Sequence, residues 1–119
     1  MSDSRYSHCA VALGNGSIIV TGGYGGLSKA ERLDIDSGTW WPLPTLNPVR
    51  AQHGCALVTL KGEEGVMIVG GDSGGTRLKD VRFLSLDEPD EWRNVADINT
   101  ARYASKANVI LCLLIFVLF

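Results

Sequence analysis

The sequence predicts an all-β chain of two four-stranded antiparallel sheets, and three observations support this. SIIVTGGYGG at 17–26 and VMIVGGDSGG at 66–75 repeat one local design, an apolar run followed by two glycine pairs. Arg5, Arg50 and Arg102 lie 45 and 52 residues apart, and Arg5-Tyr6-Ser7-His8 answers Arg50-Ala51-Gln52-His53, so the repeat has a phase. Leu13-Gly14-Asn15-Gly16 is a hairpin signal, because Asn-Gly accepts the positive φ angles of a tight turn.

Taken in order, the first unit reads as strands at 8–13, 17–21, 30–34 and 39–43, and the second as strands at 53–60, 66–69, 81–86 and 92–96. The runs IIV and VMIV are continuously apolar, so both faces of each second strand must be covered. Trp40 and Trp92 each precede the next repeat arginine by ten residues and offer large apolar surfaces for packing between sheets. The second unit is 7 residues longer. Three of these fall around Lys61-Gly62-Glu63-Glu64, three after the second glycine pair and one before Trp92. All are expected in loops, where added length is cheap.

Repeats of about this length, each a small sheet stacked face to face on the next, are the blades of a β-propeller. The glycine pairs Gly22-Gly23 and Gly70-Gly71 fit that packing, because a Cβ there would obstruct the neighbouring blade and glycine permits a sharp exit of the chain. IIVTGG…ERLD…W and MIVGG…VRFLS…W, framed by Arg50 and Arg102, resemble kelch repeats over about residues 5–103. The resemblance implies two kelch blades of an incomplete propeller: repeat 1 at 5–49, repeat 2 at 50–101, and the start of a third at 102–119. Kelch propellers have about four to eight blades, so two would need missing blades or self-association to close a ring.

The third unit opens with Thr100-Ala101-Arg102-Tyr103, but Ser105 stands where the histidine is expected and an apolar run fills 109–119. As a helix those eleven residues would span about 16 Å against a hydrocarbon core of roughly 30 Å, so no transmembrane helix is expected. A strand standing in for the first strand of the next blade, or sequence read through from a non-coding region, fits better. Such an edge, without charge or proline, invites aggregation.

A formal net charge of −2, with Lys and Arg scattered, leaves no basic footprint for nucleic acid or acidic lipid. Cys9, Cys55 and Cys112 show no CxxC or zinc spacing and read as three reduced thiols. The polar amino terminus lacks the pattern of a secretory signal, which points to the cytoplasm or nucleus.

Catalytic signals are weaker than their alternatives, and no catalytic residue, metal or cofactor is expected. Gly71-Asp72-Ser73-Gly74-Gly75 matches the stretch around the serine of trypsin-like proteases, but the corresponding site of the first repeat has no serine, and a protease needs a base, an acid and a scaffold about twice this long. His8 and His53 occupy equivalent positions without further ligands at chelating spacing. Gly22 to Gly26 with Lys29 matches no phosphate-binding fingerprint and leads into a strand. Asn15-Gly16-Ser17 fits a glycosylation acceptor, yet a hairpin turn accounts for it.

Strand order places the loop after each second strand on the same rim as the connection into each blade. Tyr24, Asp72, Ser73 and Arg77 would therefore share that rim with Arg5, Tyr6, Arg50, Arg102 and Tyr103. Arg and Tyr commonly carry interface energy, and guanidinium forks suit carboxylates of a partner peptide. The competing role for the repeated arginine is pairing with a neighbouring blade. The resemblance implies the same binding face and a non-catalytic interaction module, with actin or a ubiquitin-ligase substrate as partners known in the family; no BTB-like region accompanies it. It also admits a fragment of a propeller enzyme like galactose oxidase or a sugar isomerase, although no set of Tyr, Cys and two His for a copper radical site is identifiable.

Overall fold

The computed structural model describes residues 4–97. Eight strands follow one another: β1 Cys9–Ala12, β2 Ser17–Thr21, β3 Ala30–Asp34, β4 Thr39–Pro42, β5 Gly54–Leu60, β6 Glu63–Ser73, β7 Thr76–Ser85 and β8 Arg93–Asp97. They form two four-stranded antiparallel sheets with strands in chain order, β1-β2-β3-β4 and β5-β6-β7-β8. Arg102, Tyr103 and the apolar run at 109–119 lie outside the described residues.

Alternation along the strands decides which side chains meet. Val11 and Ile19 lie opposite each other in the β1–β2 pairing and point the same way. With Leu13, Ala30 and Leu46 they pack against Val66, Ile68, Leu84 and Trp92 of the second sheet, and this is the core between the two sheets. Trp92 is buried and donates its indole N–H to the Pro44 carbonyl (2.9 Å), which ties the start of β8 to the connector between the sheets. Trp40 lies half-buried on the outer strand β4, where it pairs with Leu33. The connector runs back along the edge of the first sheet, where the amides of Leu43, Leu46 and Arg50 donate to the carbonyls of Ala30, Ser28 and Leu27.

The strands differ from the expected ones in length, and the reason is where the extra residues went. Leu60 pairs with Glu63 across the two-residue turn Lys61-Gly62, and Ser73 pairs with Thr76 across Gly74-Gly75. All four turn residues have positive φ, the geometry of tight hairpins whose twist matches the strands. A hairpin absorbs added residues as extra cross-strand pairs, so the insertions lengthened β5, β6 and β7 instead of swelling loops. β6 is bulged between Val69 and Gly71, at the glycine pair.

The cysteine expectation is overturned, since Cys9 and Cys55 form a disulfide between β1 and β5. Cys9 pairs with Thr21 and Gly54 with Val69, so Gly54, and not Cys55, is the in-sheet counterpart of Cys9. The offset of one residue reverses the parity of the second cysteine: Cys9 faces the second sheet and Cys55 faces the first. Closing a loop of 46 residues lowers the entropy of the unfolded chain, an effect worth about 4 kcal/mol in a chain-entropy estimate. Reduction, or Cys9→Ser, is expected to lower the unfolding free energy by about that amount in urea titrations, with no effect of reductant on the variant.

Candidate functional site

Each blade is introduced by a lead-in segment that pairs with the loop after its second strand. Tyr6 and Tyr24 exchange backbone hydrogen bonds (3.1 and 2.8 Å), and Ala51 and Asp72 do the same in the second blade (2.9 and 2.8 Å). These bridges require the backbones to touch. A Cβ on Gly23 (φ +94°) would lie 2.7 Å from His8 Cβ, and one on Gly71 (φ +105°) 2.7 Å from the Ala51 carbonyl oxygen. Gly22 serves the other contact, since a Cβ there would meet the Arg50 carbonyl and lie 2.8 Å from His53 Cε1 of the next blade.

Arg5 and Arg50 are placed beneath this rim, not on it. Arg50 is 0% exposed. Its Nη1 and Nη2 donate to Asp80 Oδ1 and Oδ2 (both 2.8 Å), Nη1 also to the Gly70 carbonyl (3.1 Å) and Nε to the Pro48 carbonyl (3.2 Å). Asp80 Oδ2 accepts a further bond from Arg82 Nε at 2.8 Å. Arg5 is held in the same way by its own sheet, with Nη2 on Glu31 Oε2 (2.6 Å) and Nη1 on the Gly22 carbonyl (3.3 Å). Each arginine's ion pair thus lies within its own blade and not with the neighbouring one. A buried guanidinium needs such a carboxylate, because an uncompensated charge in the interior is strongly unfavourable.

Glu31 and Asp80 escape a reading based on the repeat because they are not equivalent. Thr21 pairs with Ala30 and Val69 with Val81, so Asp80 matches Lys29, and Glu31 matches Arg82. The usable signal is chemical: each repeat arginine is followed, after two glycine pairs, by a carboxylate within its third strand.

His8 and His53 are equivalent in sequence but not in environment. His8 is exposed, whereas His53 is buried against the first blade, where its Nε2 and the Thr21 hydroxyl share a hydrogen bond of 2.7 Å. Its Nδ1 is buried without a hydrogen-bond partner. Burial, then the charges of Arg50 and His8, push the His53 pKa down from 6.5 to about 3, against a smaller raising effect of the Thr21 hydrogen bond. Burial alone would raise the Asp80 carboxyl, but the hydrogen bonds and charges of Arg50 and Arg82 outweigh it and hold the group below 3.8.

The residues the fold does gather at the rim are Tyr6, Tyr24, Ser73 and Arg77, with Asp72 buried against them. The Tyr6 and Tyr24 rings lie 5.1 Å apart, tilted by 37°. The Tyr24 hydroxyl donates to Asp72 Oδ2 at 2.8 Å, joining the loops of the two blades. Asp72 pairs in register with Arg77, and Ser73 closes the hairpin beside them. Tyr6 is 68% exposed, the most open large apolar side chain among the described residues. Ser73 therefore sits in a hairpin strand end, and the His53 Nε2 that a serine nucleophile would need is engaged by Thr21. Among the described residues no three His, Cys, Asp or Glu side chains cluster to hold a metal ion, and no helix is long and apolar enough to cross a membrane.

Residues 5–47 match the family model of the Kelch motif. No curated protein matches the chain. The matched residues include all four strands of the first sheet, and the second sheet repeats its strand order and its buried arginine.

Two outcomes follow from the buried groups. Arg50→Ala leaves Asp80 without its main counter-charge and is expected to cost about 3–5 kcal/mol in urea unfolding, with Arg50→Lys recovering only part because it lacks the fork. Acid acts on the same region. The unfolded chain takes up the histidine proton first, so the His53 contribution is complete above pH 6.5 and is lost as the pH falls towards 3; that of Asp80 is present above 3.8 and is lost below it. Midpoints measured from pH 7 down to 4 are expected to decline, and His53→Gln to flatten that decline.

Proposed function

We propose, from the kelch motif of residues 5–47, that this chain is part of a non-catalytic protein-interaction module that engages its partner through the rim built by Tyr6, Tyr24, Asp72, Ser73 and Arg77. The observation that carries this reading is the exposed Tyr6 ring packed on Tyr24, whose hydroxyl is fixed by Asp72 of the next blade. Tyrosines held this way present contact area at low entropic cost, because backbone and ring are ordered before a partner arrives. Arg5 and Arg50 are not part of this surface. Their role is to hold the lead-in segments on which Tyr6 and Ala51 sit, and the partner peptide meets aromatic and hydrogen-bonding groups instead of a row of guanidinium forks.

The test uses the two ends of the blades against each other. Ile35 is 55% exposed in the turn between β3 and β4, at the end opposite the rim. Tyr6→Ala is expected to weaken partner binding by about tenfold or more at unchanged unfolding midpoint, whereas Ile35→Ala leaves it intact. Equal binding by wild type and Tyr6→Ala, in titrations against partners captured by the wild-type chain, would remove the rim as the site.

A further inference from the structure

We propose that Asn15 is an N-glycosylation acceptor, modified in the oxidising secretory compartment where the chain folds. Asn15-Gly16-Ser17 is the one Asn-X-Ser/Thr stretch of the sequence, and the turn between β1 and β2 does not by itself account for it. The positive φ angles of that turn fall on Gly14 (+77°) and Gly16 (+83°), whereas Asn15 between them has none, so the tolerance of asparagine for that region is not used. What the turn takes from Asn15 is an acceptor oxygen: Oδ1 receives the Ser17 amide at 3.1 Å. An aspartate supplies this equally well, as Asp34 does for the Asp36 amide (3.0 Å) in the next turn at the same end of the blade. The group that asparagine adds is its Nδ2, which makes no hydrogen bond among the described residues and belongs to an exposed side chain.

The Cys9–Cys55 disulfide points independently to the same compartment. Disulfides persist in secreted, cell-surface and endoplasmic-reticulum proteins and are rare in the cytosol, where thiols are kept reduced. In the transfer, Asn15 Nδ2 attacks C1 of an oligosaccharide carried on a lipid pyrophosphate. A C1–N bond forms, the bond from C1 to the phosphate oxygen breaks, Nδ2 gives up one proton and the lipid pyrophosphate leaves. Ser17 dates the step. It is 7% exposed and its hydroxyl accepts from Arg32 Nη2 at 3.1 Å, so the Asn-X-Ser stretch is readable only before β2 pairs with β3. The finished fold leaves room for the sugar. The turn lies at the end opposite the rim, beside the exposed Ile35, whose amide donates to the Gly16 carbonyl (3.0 Å), so a glycan on Asn15 leaves Tyr6 and Tyr24 open.

The test uses the full-length protein from its native cells, with variants expressed in the same cells. Peptide N-glycosidase, which releases the glycan and leaves aspartate, is expected to shift the mobility by a single step and to yield the tryptic peptide 6–29 with Asp at position 15. The step is expected to vanish in Asn15→Asp and Ser17→Ala and to remain in Ser17→Thr. Asn15→Asp keeps the acceptor oxygen of the turn, so its loss of the step reads the glycan and not the fold. Cys9 and Cys55 are expected to resist alkylation until a reductant is added. Native protein with unmodified Asn15 overturns the assignment, as does a mobility step that survives in Asn15→Asp. Cys9 and Cys55 that alkylate in native cells without prior reduction overturn the compartment on which it rests.

Discussion

The structure depends on one buried residue, Arg50. Its guanidinium belongs to the second blade, where Asp80 takes both Nη atoms and Gly70 accepts from one of them. Its backbone belongs to the first, since its amide donates to Leu27 and its carbonyl accepts from Gly23. The two sheets are therefore joined through a single residue in two ways, by charge on one side and by backbone hydrogen bonds on the other. The bidentate fork fixes direction as well as distance, which a lysine at that position would not do. Everything at the rim inherits its placement from this joint, because Ala51 follows Arg50 directly and pairs with Asp72.

A charge this deep is retained in both repeats although the residues around it change. Arg5 finds Glu31 and Arg50 finds Asp80, from positions that do not correspond in strand register. What is preserved between the blades is the need for a carboxylate near the glycine pair, not its exact address. In the second blade Arg82 occupies the place of Glu31 and shares Asp80, so one carboxylate answers two cations there. This accounts for the lowered Asp80 pKa despite burial.

Period, strand order and the crowding at the glycine pairs were legible in the sequence, because each follows from local composition: apolar runs of strand length, Asn-Gly and Gly-Gly turns, and a repeated arginine. Contacts between blades were not. Aligning Cys9 with Cys55 by residue type puts both on the same side of their sheets, where they could never meet; the structural counterpart of Cys9 is Gly54, and only that shift of one residue turns the two thiols towards each other. The arginines' role was not legible for a related reason. Their recurrence left a shared surface and pairing with a neighbouring blade both open, whereas Arg5 and Arg50 each lie buried in an ion pair within their own blade.

The same logic constrains what the rim does. Tyr24 and Asp72 come from different blades, so their hydrogen bond forms only when the blades hold the spacing set by Arg50, the Thr21–His53 contact and the Cys9–Cys55 bond. Tyr6 in turn leans on Tyr24. A binding surface assembled across a joint reports the state of that joint: whatever loosens the contact between the blades also releases the Tyr24 hydroxyl and lets the Tyr6 ring sample positions a partner does not recognise. Affinity at the rim and stability between the blades are then linked quantities, because a ligand that binds only the ordered rim favours the docked blades by the same free energy that docking contributes to its binding.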